Sequence, residues 1–228
     1  MIEFRPYTFR IGADEYRVDE RGAIHQEGAF KSQHYSPEYV VKRYDAIPET
    51  VRQMSCLRAG YIIGNLGFPR SLLDVGYGNG DFLAVWRLWR PQAVDLWGMD
   101  VSGYPLPEGC RKINMGELRP DRSWDVVTFF DSLEHIPDLD FLGRLNARHI
   151  VVTVPWCHGE LGLEWFQGWK HRRPGEHLHH FSPLTLMRTM QAYGFGSMVY
   201  SSIEDAIRVP VDDRPNTFTA IFKKAGVA

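Results

Sequence analysis

Cysteine is scarce. Only Cys56, Cys110 and Cys157 occur in 228 residues. They are far apart and odd in number, so neither a disulfide framework nor a zinc spacing follows, and a reducing compartment is the simplest reading. An excess of either charge is also lacking: 26 Lys and Arg stand against 28 Asp and Glu, a formal net charge of -2. No global basic field draws such a chain to nucleic acid or to a membrane surface. No apolar run has the length that crosses a bilayer. The opening MIEFRPYTFR lacks the apolar stretch of a secretory leader. Repeats and low-complexity segments are absent too. These absences lead us to expect a cytoplasmic protein with no membrane partner, and they argue against nucleic acid as a ligand.

Aromatic residues, by contrast, are plentiful: seven Trp, ten Tyr and thirteen Phe, in a chain that is 44% hydrophobic. They supply both a core and the walls of a ligand pocket. Over residues 1–35, Tyr7-Thr8-Phe9-Arg10-Ile11 and Tyr16-Arg17-Val18-Asp19 alternate as strands, with turns at Gly12 and Gly22, a short β-meander. Ser36-Pro37 reads as a helix start, and a second helix is expected from Glu49 to Asn65, between Pro48 and Gly67. From Ser71 the pattern becomes strand, loop, helix. Strands are expected at Leu72–Val75, Ala93–Met99, Arg111–Ile113, Trp124–Phe130, His149–Val154, Met198–Ile203 and Thr217–Phe222. Helices are expected at Phe82–Trp89, stopped by Pro91, and at Pro183–Tyr193, capped by Ser182. Such alternation predicts a parallel sheet covered on both faces. The expected division is a cap over residues 1–48 and a main domain over 49–228.

The most informative stretch is LLDVGYGNGDFL, residues 72–83. A buried strand meets Gly76, Gly78 and Gly80, and a helix follows. Glycines there let the backbone turn sharply and come close to a ligand at the carboxyl end of a strand. The spacing is G-x-G-x-G behind Asp74, not the G-x-G-x-x-G of a dinucleotide loop. A glycine-rich turn without a ligand is the alternative. The next strand ends in Asp100, whose carboxylate can accept from two ribose hydroxyls or merely cap a helix.

With these two features, three further stretches resemble, in order, the class I S-adenosylmethionine-dependent methyltransferases, in particular their small-molecule O-methyltransferase-like branch: SWDVVTFFDSLEHIPD (123–138), HIVVTVPW (149–156) and EHLHHFSPLTLMRTMQAYGF (176–195). The resemblance covers about residues 70–224. It implies an α/β, Rossmann-like three-layer sandwich. The seven-stranded sheet is mostly parallel with an antiparallel last strand, and a small N-terminal β/α extension is added. It also implies S-adenosylmethionine as cofactor, bound by Asp74, Gly76, Tyr77, Gly78, Gly80, Asp100, Val101, Asn114, Met115 and Phe130. Three departures stand out. Asn114 holds a position where relatives often have an acid. Tyr77 replaces a small residue. The segment from Asp100 to Asn114, with Pro105 and Pro107, is too short for the usual crossover helix.

On a helix, Asp131, Glu134 and His135 would share one face. They resemble the E-x-x-E-H signature of magnesium-dependent O-methyltransferases, with His177 at the place of a later ligand. The expected metal set is therefore Asp131, Glu134, His135 and His177 around Mg2+; packing and capping alone is the competing reading. His135, His177, His179 and His180 are candidate general bases, since histidine titrates near neutrality. The stretch from Trp156 to His180 interleaves aromatics with cations and reads either as a mobile lid or as an ordered surface loop. Tyr35 and Tyr44 would close over the cofactor or pack in the core. The expected activity is methyl transfer to a hydroxyl, or an amine, of a small or sugar-like substrate, an anionic one included. A non-catalytic relative acting as an assembly subunit and an RNA methyltransferase are the alternatives, and an oligomer is left open.

Overall fold

The computed structural model describes residues 4–28, 35–44, 46–89, 94–208 and 213–226. Pro91 and Ala93, the expected helix stop and strand start, lie outside the described residues. In chain order the elements are β1 (Tyr7–Ile11), β2 (Asp14–Val18), β3 (Ile24–Glu27), α1 (Pro37–Tyr44), α2 (Pro48–Leu66), β4 (Ser71–Val75), α3 (Asp81–Trp89), β5 (Asp95–Met99), β6 (Arg111–Lys112), β7 (Ser123–Phe130), β8 (Asn146–Pro155), α4 (Gly162–Gly168), β9 (His179–His180), α5 (Pro183–Ala192), β10 (Phe195–Ser201), α6 (Asp205–Arg208) and β11 (Thr217–Lys224).

The main sheet runs β10-β11-β8-β7-β4-β5-β6, and β11 is antiparallel to both neighbours. This is the expected seven-stranded arrangement. Strand β4 pairs in parallel with β5 on one side and β7 on the other. The chain leaves β4 in one direction and returns to its other flank, the kind of switch point where open α/β sheets bind ligands.

Because side chains alternate along a strand, each central strand feeds two cores. Leu72, Val126, Val151 and Ile221 join Ala59 and Ile62 of α2 and Phe82, Leu83 and Trp86 of α3. Leu73, Val127, Val152 and Phe222 join Leu186 and Met190 of α5 on the other face. Helix α5 starts where Pro183 presets its first turn and Ser182 Oγ accepts from Thr185 N at 3.3 Å. No helix forms between β5 and β6, as the prolines there predict. Strand β10 begins at Phe195, earlier than expected, because a register irregularity between Phe195 and Met198 interrupts the alternation from which strands are read.

A second sheet has the order β1-β2-β3-β9. Its first three strands are the expected meander; its fourth comes from the stretch just before α5. Tyr16 stacks on Phe9 and meets Phe166 of α4 edge-on. With Ile11 and Cys157 they form a third apolar cluster. Among the described residues no helix is long and apolar enough to cross a membrane.

Candidate active site

The loop after β4 turns on three left-handed glycines, Gly76 (φ 81°), Gly78 (φ 56°) and Gly80 (φ 76°). A Cβ would also collide at each: 2.5 Å from Ser132 Cβ at Gly76, 2.6 Å from the Tyr44 hydroxyl at Gly78 and 2.7 Å from Pro107 Cδ at Gly80. Both the conformation and the close approach therefore require glycine. Asp74 lies beneath the loop, 3% exposed. Burial pushes its carboxyl up to about 7, and its Oδ1 accepts from Thr128 Oγ1 at 2.7 Å. Asp100, at the end of β5, accepts from Gly78 N at 2.9 Å and Ser102 N at 2.7 Å. It thus ties the glycine loop to the 101–110 segment. A carboxylate has about four acceptor sites, so room remains for hydroxyl donors.

The other expected cofactor residues are distributed around this loop. Val101 is 85% exposed beside Asp100. Asn114 is exposed, its N–H donating to Glu117 Oε2 at 2.7 Å, and Met115 is half-buried. Phe130 ends β7 against Phe82 and beneath the Arg58 guanidinium, 4.4 Å from its ring centre. The Tyr77 side chain turns into the helical layer. It is 4% exposed, packs on Gly98 and donates its hydroxyl to the Tyr104 carbonyl. It therefore anchors the 101–110 segment, and only its backbone is left to line the loop.

Asp131 departs from the expectation. It does not share a helix face with Glu134 and His135: its φ is 52°, and only Leu133–His135 form a short 3-10 turn. Its Oδ2 accepts from Arg58 at 2.7 Å and from Arg208. Burial opposes its charge, but Arg208 and Arg58 outweigh burial and hold the carboxyl well below its usual range. Glu204, 1% exposed, faces the same two cations at 2.7 and 2.9 Å and accepts from Thr153 Oγ1. Arg58, Asp131, Arg208 and Glu204 thus alternate in a closed, part-buried ring. Asp131 is engaged in this ring and is not among the residues whose ligand atoms converge. Arg58, Glu204 and Arg208 were not anticipated from sequence. The one local signal was that Arg58 sits four residues from both Met54 and Ile62 on the buried stripe of α2.

Among the described residues, Glu134, His135 and His177 each offer a ligand atom, all within 4.8 Å of one another. His135 Nδ1 lies 2.8 Å from the Glu176 carbonyl oxygen. A carbonyl only accepts, so Nδ1 carries the hydrogen. Burial lowers the His135 pKa, so the ring is neutral and its Nε2 holds a lone pair, 3.9 Å from Glu134 Oε1. Glu134 is 1% exposed, its Oε2 has no hydrogen-bond partner, and burial together with the Asp131 charge raises its pKa. His177 meets His135 edge-on at 4.6 Å, and burial drives its pKa down to about 2. His180 is not brought into this group. It is buried among Tyr16, Phe166 and Trp169, with Nδ1 3.4 Å from the Ile24 carbonyl. Its neighbours in the strand alternate, and its side faces the aromatic cluster.

In the Trp156–His180 stretch Lys170 is exposed, while the other cations have partners. Arg172 reaches the Tyr16 hydroxyl at 2.9 Å and Asp14 at 3.4 Å, Arg173 pairs with Glu176, and His171 bonds Asn216. Tyr35 and Tyr44 flank α1. Tyr44 lies over Gly78, and the Tyr35 hydroxyl oxygen lies 3.3 Å from His135 Nδ1, placed to accept from its N–H. Helix α1 therefore bridges the glycine loop and the histidine cluster.

No curated protein matches the chain in sequence. Solved structures match its fold at low identity. A Burkholderia thailandensis 1,6-didemethyltoxoflavin-N1-methyltransferase, solved with its substrate and S-adenosylhomocysteine, is 14% identical with a TM-score of 0.56, over 97% of this chain and 100% of that one. A Haloferax volcanii protein solved in complex with the Trm112 methyltransferase activator is also 14% identical, with a TM-score of 0.55, over 83% and 97% of the two chains. The plantazolicin methyltransferase BpumL, solved with S-adenosylhomocysteine, is 15% identical with a TM-score of 0.51, over 82% and 90%. The methyltransferase-domain family model matches residues 42–197. With the glycine loop at the β4 switch point and the strand order given above, the chain belongs to the class I S-adenosylmethionine-dependent methyltransferases.

Proposed function

We propose that the chain transfers the methyl group of S-adenosylmethionine to a hydroxyl of a small or sugar-like substrate, with His135 as the general base. The supporting observation is the tautomer of His135. Its Nδ1–H is spent on the Glu176 carbonyl, which leaves the Nε2 lone pair beside Glu134 and His177. The turn that carries it begins at Ser132, in contact with Gly76 of the cofactor loop. A neutral amine is nucleophilic without help, whereas a hydroxyl gains from a base that removes its proton. That difference favours the hydroxyl.

The cofactor would lie along the glycine loop, with Asp100 accepting from the ribose and Val101 and Met115 against the adenine. Asp100 has acceptor capacity to spare, and the exposed Val101 side chain would gain an apolar cover. Asn114 can meet the adenine edge through its amide. When bound, S-adenosylmethionine supplies an electrophilic methyl on a sulfonium. The chain's part is to orient the acceptor, exclude water and take up the proton.

The orphaned Glu134 Oε2 beside two neutral imidazoles also favours a second reading, a divalent ion at Glu134, His135 and His177. Two nitrogens and one carboxylate suit a manganese-, iron- or zinc-type ion better than magnesium, which prefers oxygen ligands.

Radiolabelled methyl transfer across matched hydroxyl and amine panels tests the proposal. His135→Ala is expected to lower turnover by about 100-fold or more while leaving S-adenosylhomocysteine binding intact. Transfer only to amines, indifferent to His135, would overturn it. Titration with Mn2+ and Mg2+ separates the base from the metal reading.

A further inference from the structure

Away from the chemical centre, a chain of buried polar groups crosses from the N-terminal sheet to the turn after β7. His25 and His179 are cross-strand partners in β3 and β9, and their Nδ1 atoms are 2.7 Å apart. His25 Nε2 lies 3.3 Å from Asp19 Oδ2, and His179 Nε2 lies 2.8 Å from the Ile136 carbonyl oxygen. A carbonyl oxygen only accepts, so His179 Nε2 carries hydrogen, and burial keeps that ring neutral, so its Nδ1 holds a lone pair. At 2.7 Å His25 Nδ1 must therefore donate to it, since two lone pairs so close would repel. Asp19 is itself held by the N–H groups of Arg21 and Ala23, both at 2.9 Å. The relay therefore runs unbroken from the β2–β3 turn to Ile136. All three side chains are buried.

The backbone alongside it is laid down in the same way. Gln26 N donates to the Leu178 carbonyl and Leu178 N to the Glu134 carbonyl, each at 2.8 Å. Gly175 N donates to Gln26 Oε1 at 2.7 Å. The segment that carries His177 is thus held between β3 and the turn that carries Glu134 and His135. None of these bonds is made by the side chains assigned to the chemistry, and none belongs to the cofactor loop.

We propose that His25 is a positioning residue of the methyl-acceptor centre: through His179 it fixes the 133–136 turn and the 175–180 segment, and so the mutual placement of Glu134, His135 and His177. The proposal rests on the reading of those three residues as the acceptor centre. It makes strand β3 of the N-terminal meander part of the support of that centre. A ring held by hydrogen bonds at both nitrogens has one orientation, and a supporting shell of this kind is what keeps an active group within the small tolerance catalysis allows.

The test reads the imidazole rings directly, so it does not depend on knowing the acceptor. Two-bond 1H–15N spectra of the full chain are recorded for wild type, His25→Phe and His25→Asn. The Asn amide nitrogen stands where His25 Nδ1 does and can donate to His179; Phe fills the space but cannot. In wild type and His25→Asn, His135 is expected as a single Nδ1–H tautomer. In His25→Phe that tautomer is lost and the His177 signals move. His135 and His177 spectra unchanged in His25→Phe would overturn the proposal, as would equal shifts in both variants. If the chain does not accommodate Phe, His25→Ala makes the same cut, and the same comparison applies. Calorimetry with S-adenosylhomocysteine on the same proteins should give unchanged affinity throughout. Failure of wild type to bind counts against the proposed function, and the ring spectra then decide the role of His25 by themselves. Loss of binding only in His25→Phe would overturn the positioning role in favour of general support of the fold.

Discussion

At the scale of single residues, Asp100 and Arg58 show how one charged side chain can organise the protein around it. Asp100 binds the amides of Gly78 and Ser102, so it shapes the loop on which a cofactor would rest. Hydrogen bonds to a charged acceptor contribute about 2 kcal/mol, so Asp100→Ala should weaken S-adenosylhomocysteine binding by about 30-fold or more. Asp100→Asn, which keeps one acceptor oxygen, should lose less; calorimetry that ranks Asn below Ala would contradict the assignment. Arg58 faces two carboxylates inside the protein. Removing it leaves Asp131 and Glu204 short of a counter-charge, and breaking such a buried pair costs about 3–5 kcal/mol. Urea unfolding of Arg58→Ala should show that loss; a change under about 1 kcal/mol would mean that the ring is solvated. Sequence made Asp100 legible, because a strand followed by an acid is a local pattern. It hid the ring, because the partners of Arg58 lie 73 and 146 residues away.

At the scale of elements, the contrast between the two turns at the carboxyl ends of β4 and β7 is instructive. The first was legible because glycine is the residue that left-handed backbone selects. The second was misread: Asp131, Glu134 and His135 have helical spacing, yet β7 runs directly into a tight turn, and Asp131 takes φ 52° to make it. Two arginines hold it there, which no local pattern announces. Helix α1 connects the two turns through Tyr44 and Tyr35. In Gly78→Ala the new Cβ would meet the Tyr44 hydroxyl at 2.6 Å, and the left-handed backbone itself disfavours a side chain by about 1 kcal/mol or more. Hydrogen exchange of residues 37–44 should accelerate in that variant while β4, β7 and β8 keep their protection. Unchanged exchange there would mean that α1 does not rest on the loop.

For the whole molecule, buried titratable groups set how stability depends on pH. Burial lowers the pKa of His177 to about 2, of His180 to about 3 and of His179 to about 4, from 6.5. Between those values and 6.5 the unfolded chain binds more protons than the folded one. Stability therefore falls as pH drops below 6.5, by up to about 1.4 kcal/mol per pH unit for each such histidine. Asp74 acts in the opposite sense. Its pKa is raised from 3.8 to about 7, so the folded chain holds the extra proton and stability falls as pH rises through that window. Glu134, also raised by burial, acts in the same sense as Asp74. The three histidines outweigh the two carboxyls, and melting temperature should decrease from pH 7 to pH 5. Asp74→Asn removes part of the opposing contribution and should steepen the decrease. A melting temperature that rises toward pH 5 would mean that these histidines are not held neutral.

Three features were already specified along the chain: the layered α/β architecture, the strand that ends in the glycine loop and the acid after the next strand. Each rests on periodicity or on a residue with special backbone freedom, and the family and the cofactor followed from that local order. Which of the expected groups meet was settled by folding in three dimensions. The fold brought Glu134, His135 and His177 together and drew Asp131 into an arginine pair. It sent the Tyr77 and His180 side chains into the core, and it joined the N-terminal meander to the turn after β7 through His25 and His179. The reason is physical: burial and ion pairing join groups by their place in space, and chain separation leaves no trace of that pairing in the sequence.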